Sequence, residues 1–331
     1  MVSKKLVCMK RLQIFFLMFT FFACNNSKPK KVYKPSSSGN INNLLLVIDD
    51  DLWCGRVGDV LRENVGSEIY GLPQIEPYFD MRQVPIAVFT DFVRLNRIVL
   101  KVQISDESGI KFYKDPYASP QTMVVVSAED SNKLIDLIKT NSTDIISSFR
   151  AVEIKEKQRR INKSLFNSSS IKTALGVDLK FSSAYRIAKA KDNFFWIRRD
   201  TDNGSLNLLL YSTPIKEFNH PSLFNEYIIQ QRDSVAQSEI PGPHEGDFMT
   251  TDESYTPSFF KTKISGLNVL ETRSVWKVNG AFMSGPFINY CFLDKSNGRF
   301  IIAEGFVYAP SKAKREYMLE LEAMIRSISI D

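Results

Sequence analysis

Histidine is almost missing from this chain: two among 331 residues, His220 and His244. General acid–base catalysis and zinc binding both lean on imidazole, so few constellations of either kind are open. Four cysteines are present, at positions 8, 24, 54 and 291, without CxxC or any other metal-type spacing, which excludes a zinc finger or ribbon. Walker, G-x-S-x-G and G-x-G-x-x-G loops are absent, and with them the common signatures of nucleotide, hydrolase and dinucleotide chemistry. Met283-Ser284-Gly285 sets a serine beside a glycine, but Pro286 follows, and a tight turn ahead of a strand is the reading. No metal or cofactor is expected. No apolar run reaches the roughly 20 residues that a membrane-spanning helix needs.

What the chain does have starts at its N-terminus. Lys10 and Arg11 lead into an apolar run from Leu12 to Phe22, broken by Gln13 and Thr20, that ends in Phe21-Phe22-Ala23-Cys24 before the polar Asn25-Asn26-Ser27. A basic lead, a short apolar core and a small residue at the cut describe a secretory signal peptide over 1–23. The cysteine directly after Ala23 predicts a bacterial lipoprotein, with Cys24 acylated as the new N-terminus. Met9 can open the same signal as well as Met1. The expected location is the cell envelope, lipid-anchored to the inner or outer membrane and facing the periplasm.

Charge then needs recounting. The whole chain carries 43 Lys+Arg against 37 Asp+Glu, a formal +6. Residues 1–23 hold Lys4, Lys5, Lys10 and Arg11 and no acid, leaving 39 basic against 37 acidic residues in the mature chain. No basic stripe of the kind a nucleic-acid binder needs remains, so no nucleic-acid partner is expected. Lys28, Lys30, Lys31 and Lys34 sit beside the anchor, where they read as a solvated tether. Cys54 and Cys291 are the two cysteines of the mature body. A Cys54–Cys291 disulfide and two separate buried thiols are both compatible with the sequence.

Residues 24–42, rich in Ser, Lys, Asn and Pro, read as a flexible tether. Leu44 to Ile48 is a buried strand, and Asp49-Asp50-Asp51 lack the alternate spacing of a calcium loop and read as a helix cap. Strands are expected over Gln74–Arg82, Arg97–Ile104 and Thr122–Ser127. An amphipathic helix follows, with Leu134, Leu137, Ile138, Ile145 and Phe149 on one face; its charged end, Lys155 to Arg160, reads as solvated. A polar joint over 162–170 separates an N-terminal domain, 43–162, from a C-terminal domain, 163–331. The second has strands near 185–190, 194–199 and 206–211, with Asp202-Asn203-Gly204 as a hairpin turn. A helix from Pro221, an irregular stretch 240–257 and three more strands over 267–308 follow. A closing helix pairs Glu322 with Arg326 at i,i+4. Both halves end with strands and then a helix. The expected fold is therefore α+β: two similar units of antiparallel sheet covered by amphipathic helices.

Several segments resemble an uncharacterised Bacteroidetes lipoprotein family known as domain-of-unknown-function family 4837. They are Leu52-Trp53-Cys54-Gly55 with Val57-Gly58-Asp59, Leu72-Pro73-Gln74 with Glu76-Pro77, and Ile240-Pro241-Gly242-Pro243. Further along come Glu271-Thr272-Arg273-Ser274-Val275-Trp276, Phe282-Met283-Ser284-Gly285-Pro286-Phe287 and Glu304 to Pro310. Ser284 departs from the family's usual glycine. The resemblance implies a lipidated envelope protein across nearly the whole mature chain and implies no activity.

Candidate functional residues are few. His220 precedes Pro221 and reads as a cap. His244, Glu245 and Asp247 gather three potential acid–base groups in a loop and are the candidates for an envelope hydrolase acting on glycan or peptide. Trp53, Trp276 and Phe287 adjoin turns and are candidates for stacking on a sugar or peptide. The favoured function is a non-catalytic binding or scaffold lipoprotein that holds the membrane through its lipid and engages an envelope protein, peptidoglycan or small ligand.

Overall fold

A strand that is apolar at every position has two faces to bury, and Leu44-Leu45-Leu46-Val47-Ile48 is such a run. The computed structural model describes residues 33–330. It places β1 (Asn43–Val47) inside a sheet with β2 (Asp80–Val84), β3 (Ile98–Ile104), β4 (Gly109–Lys114) and β5 (Thr122–Ala128). The strand order is β2-β1-β3-β5-β4. Leu44 and Leu46 pack on one face against helix α2 (Arg56–Asn64), which follows the single-turn α1 (Asp50–Trp53), and against the long α3 (Ser131–Ile161). Leu45 and Val47 pack on the other face with Phe89.

The C-terminal half opens with α4 (Ser169–Leu175), β6 (Val177–Asp178), β7 (Arg186–Lys191), β8 (Phe194–Thr201) and β9 (Gly204–Pro214). Next come α5 (Pro221–Glu239), β10 (Phe248–Thr251), β11 (Ser258–Ile264), β12 (Leu267–Asn279), β13 (Ser284–Asp294) and β14 (Arg299–Tyr308). α6 (Arg315–Ile325) and β15 (Ser329–Ile330) close the chain. Eight of these strands form one antiparallel sheet, ordered β10-β12-β13-β14-β9-β8-β7, with β11 also paired to β12. Period-two alternation sorts its side chains onto two cores. Leu208 and Leu210 join α6 on one side, while Leu209 and Tyr211 join Ile228 and Ala236 of α5 on the other.

The α+β class follows the sequence expectation, and the large sheet is antiparallel as expected. The two halves are nevertheless built differently. β2, β1, β3 and β5 run parallel and only β4 is antiparallel. The segment carrying α1 and α2 supplies the long crossover that a parallel neighbour to β1 requires.

Residues 35–42, expected to end a flexible tether, are instead fixed to the sheet. Ser38 N donates to Leu95 O at 2.8 Å, and the buried Arg97 guanidinium donates to Asn40 O at 2.8 Å. The signal peptide, Cys24 and residues 24–32 lie outside the described residues. Among the described residues, no helix is long and apolar enough to cross a membrane.

Pro35–Asp331 forms one compact unit in which α3 lies against α6. The carboxylate of Glu322 on α6 accepts from Arg150 of α3, from Arg273 of β12 at 3.2 Å and from Arg326 at 2.9 Å. Burial alone would raise its pKa; the three guanidinium groups outweigh that and hold it at about 2. Glu76, ahead of β2, accepts from the backbone N–H groups of Lys314 at 2.7 Å and Arg315 at 2.9 Å, at the start of α6. The charged end of α3 is not a solvated face throughout, because Glu156 is buried, hydrogen-bonded to Arg159 and Arg160. Against a burial penalty those bonds hold its carboxyl at about 2.

Candidate ligand pocket beside helix α5

Residues directly opposite one another in an antiparallel pair share a face. One such row crosses the large sheet as Lys261, Leu270, Cys291, Ile302 and Tyr211. It begins with an exposed cation on the edge strand β11 and continues into apolar side chains. A parallel row carries Leu293, Phe300 and Thr213. Lys261, Leu270, Cys291, Leu293 and Phe300 of these rows floor a cavity of about 730 Å³ on the α5 side of the sheet, within the roughly 300–1,000 Å³ usual for small-ligand sites.

The wall is aromatic. Phe218, in the loop between β9 and α5, meets Phe224 at 5.3 Å and Tyr227 at 5.0 Å between ring centroids. Phe224 in turn meets Phe300 of the floor at 5.4 Å. The Tyr227 hydroxyl and Thr213 Oγ1 are 3.1 Å apart, which ties the helix to β9. His220 stands at the cavity mouth but is committed to the helix: its Nδ1 accepts from Ser222 N at 3.3 Å and lies 2.8 Å from Ser222 Oγ. This capping role matches its position before Pro221, a residue suited to the first helical turn.

The polar side of the cavity has one sign. Among the described residues, Lys216, Lys261 and Lys295 line it and no Asp or Glu does. The Lys216 ammonium lies 5.9 Å from the Phe218 ring and 5.6 Å from the Tyr227 ring, so cation–π attraction keeps it on the wall. The floor also carries the Cys291 thiol, and burial pushes its pKa up. A thiol held in its neutral form is a poor nucleophile. The arrangement can hold an apolar molecule and attract negative charge.

The residues singled out from the sequence fall elsewhere. His244 is exposed, and its Nδ1 lies 3.0 Å from Asp247 Oδ2; the Asp247 carboxylate also accepts from His244 N at 3.1 Å. Those bonds close the loop between α5 and β10, where Glu245 points into solvent. The three groups shape a turn and line none of this cavity. Among the described residues no cluster of metal-ligating side chains occurs. Trp276 and Phe287 are core residues and not a stacking surface. Trp276 Nε1 donates to Val307 O at 3.2 Å, and the Arg232 guanidinium sits 4.5 Å from the centre of the Phe287 ring. Trp53 is half-buried, with Arg62 stacked 4.3 Å over its indole. Cys54 and Cys291 are both free, the first exposed after α1 and the second buried in β13, so no disulfide joins them. Asp49 accepts from Ile86 N at 3.1 Å and not from the helix that follows it.

The segments that carried the family resemblance turn out to be packing. A side chain at Gly285 would meet Val307 O at 2.0 Å and Trp276 Nε1 at 3.1 Å, so three of those segments converge at one tight point. At Gly58 an added Cβ would lie 1.8 Å from Trp53 O, which explains the glycine where α1 and α2 meet. The pocket residues were harder to find from sequence. Lys261 and Lys295 lie on strands or turns far apart in the chain, and β11 shows little alternation. Only the edge pairing of β11 with β12 brings Lys261 to the floor.

Family comparisons divide the chain where the two halves meet. Residues 164–327 match the model of a domain of unknown function, DUF4837, and the C-terminal domain belongs to that family. Residues 37–162 match a different domain of unknown function, DUF8532. The Leu52–Asp59 and Leu72–Pro77 segments therefore lie in the second family's domain, not in an extension of the first. No curated protein matches the chain. Among solved structures, the chain is similar to the human StarD13 (DLC2) lipid transfer and protein localization domain. That likeness has 12% identity, covers 43% of this chain and 87% of that one, and has a TM-score of 0.21. At that score it supports no conclusion about ligand or activity.

Proposed function

We propose that this chain is a lipid-anchored protein of the cell envelope whose C-terminal domain is a non-catalytic binder of a small apolar ligand. The observation that carries the binding part is the cavity beside α5, with its apolar floor, aromatic wall and, among the described residues, no Asp or Glu in its lining. The sequence from Lys10 to Cys24 supports the anchor. No observation favours the hydrolase reading, since His244, Glu245 and Asp247 are used in a surface turn.

Two measurements test the proposal separately. Cells fed labelled palmitate should yield a labelled protein, and Cys24→Ser should abolish the label. Nile red, an uncharged apolar dye, should bind the purified protein saturably with one site. Leu270→Trp, which fills the floor from a half-buried position, should weaken that binding at least tenfold. Dye binding unchanged in Leu270→Trp would sink the pocket assignment, and label retained without Cys24 would sink the anchor.

A further inference from the structure

The cavity's charge is more selective than its shape. Three ammonium groups, from three separate elements, border one apolar volume: Lys216 in the loop before α5, Lys261 on β11 and Lys295 in the turn after β13. All three are exposed, and none makes an ion pair among the described residues, so their charge faces the cavity border uncompensated. A second cavity, of about 360 Å³, adjoins the first through shared Asn268, Leu293 and Lys295; Asp294 and Ser296 also line it, so the volume past the third lysine is polar. A neutral ligand would make no use of this border, and a cation would be repelled by it. Resting on the binding function proposed above, we infer that the site takes a single-chain amphipathic anion. Its acyl chain lies along Leu270, Cys291, Leu293 and Phe300, and its anionic head meets the lysine border at one end of that run. A carboxylate and a phosphate head share the chemistry the lysines read.

Exposed ammonium groups act through weak, salt-screened attraction. Their effect belongs in selectivity more than in raw affinity. The test is displacement of bound Nile red from the folded mature protein by four ligands, each below its micelle concentration. They are palmitate, palmitoyl lysophosphatidic acid, hexadecanol and hexadecyltrimethylammonium. The expected result is that at least one anion displaces the dye with about tenfold higher affinity than hexadecanol, and that the cation is weakest. Which anion wins identifies the source as a fatty acid or a lysophospholipid. In the triple variant Lys216→Gln/Lys261→Gln/Lys295→Gln, with unchanged circular dichroism, the anion and the alcohol should become equal. Raising the salt should erase the preference in the same way. Equal displacement by anion and alcohol in the unmutated protein would overturn this inference while leaving the apolar pocket standing. Failure of Nile red to bind at all would instead remove the underlying function.

Discussion

Glu322 shows what one buried carboxylate does here. It is 3% exposed and accepts from Arg150 of α3, Arg273 of β12 and Arg326 directly after α6. Replacing it with Gln leaves three guanidinium groups facing one another, so Glu322→Gln should cost about 3–5 kcal/mol in urea unfolding at pH 7. Its pKa in the fold, about 2, is below the ordinary 4.5. A lowered carboxylate stabilises the fold at pH values above 4.5, and that contribution is lost as pH falls toward 2. Glu156 behaves in the same way. Glu153 and Glu304 have the opposite sign: burial raises them despite Arg97 and Arg232, so their ionised forms cost stability that acid relieves. Stability measured between pH 5 and 2 should therefore fall less steeply in Glu322→Gln than in the unmutated protein; an identical slope would contradict the assignment. The Glu322–Arg326 pair was readable from i,i+4 spacing. Arg150 and Arg273, separated from Glu322 by 172 and 49 residues, gave no local sign. The thiols offer a second check. Cys54, exposed after α1, should react rapidly with Ellman's reagent, and Cys54→Ser should lose that fast phase; an unchanged fast phase would contradict the exposure of Cys54.

At the scale of elements, the sequence was most legible where periodicity and turn chemistry agreed. The Asp202-Asn203-Gly204 turn joins β8 to β9, and the long amphipathic pattern became α3, capped by Asp130. β4, β10 and β11 gave no such signal. Four of the six residues of β4 are exposed, and an edge strand needs little apolar patterning to be held by its neighbour. The parallel arrangement around β1 was carried by an unbroken apolar run, a pattern that fixes burial on two faces but not strand direction. α6 shows the same limit, since its N-terminal amides are satisfied by Glu76 from the other half of the chain. Free N–H groups at a helix start cost stability when unpartnered. Glu76→Ala should thus lower stability by about 1–3 kcal/mol, seen as a reduced melting temperature. No change would mean that other groups cap α6.

At the scale of the molecule, two families of domain meet in one body. α3 and α6 are packed together, and the contacts at Glu322, Glu76 and Asp80 tie each half to the other. Differential scanning calorimetry should show a single cooperative transition, and two resolved transitions would mean that the halves fold independently. The pocket lies on the far face of the large sheet from α6, in the α5 core. Loss of that pocket should therefore leave the joint between the halves intact. The most direct test of the binding account is native mass spectrometry of the mature protein extracted from envelopes. The account predicts one noncovalent adduct per chain, with the mass of a single-chain acyl anion, that disappears in Leu270→Trp. A chain without any adduct, or an adduct that persists in Leu270→Trp, would contradict it.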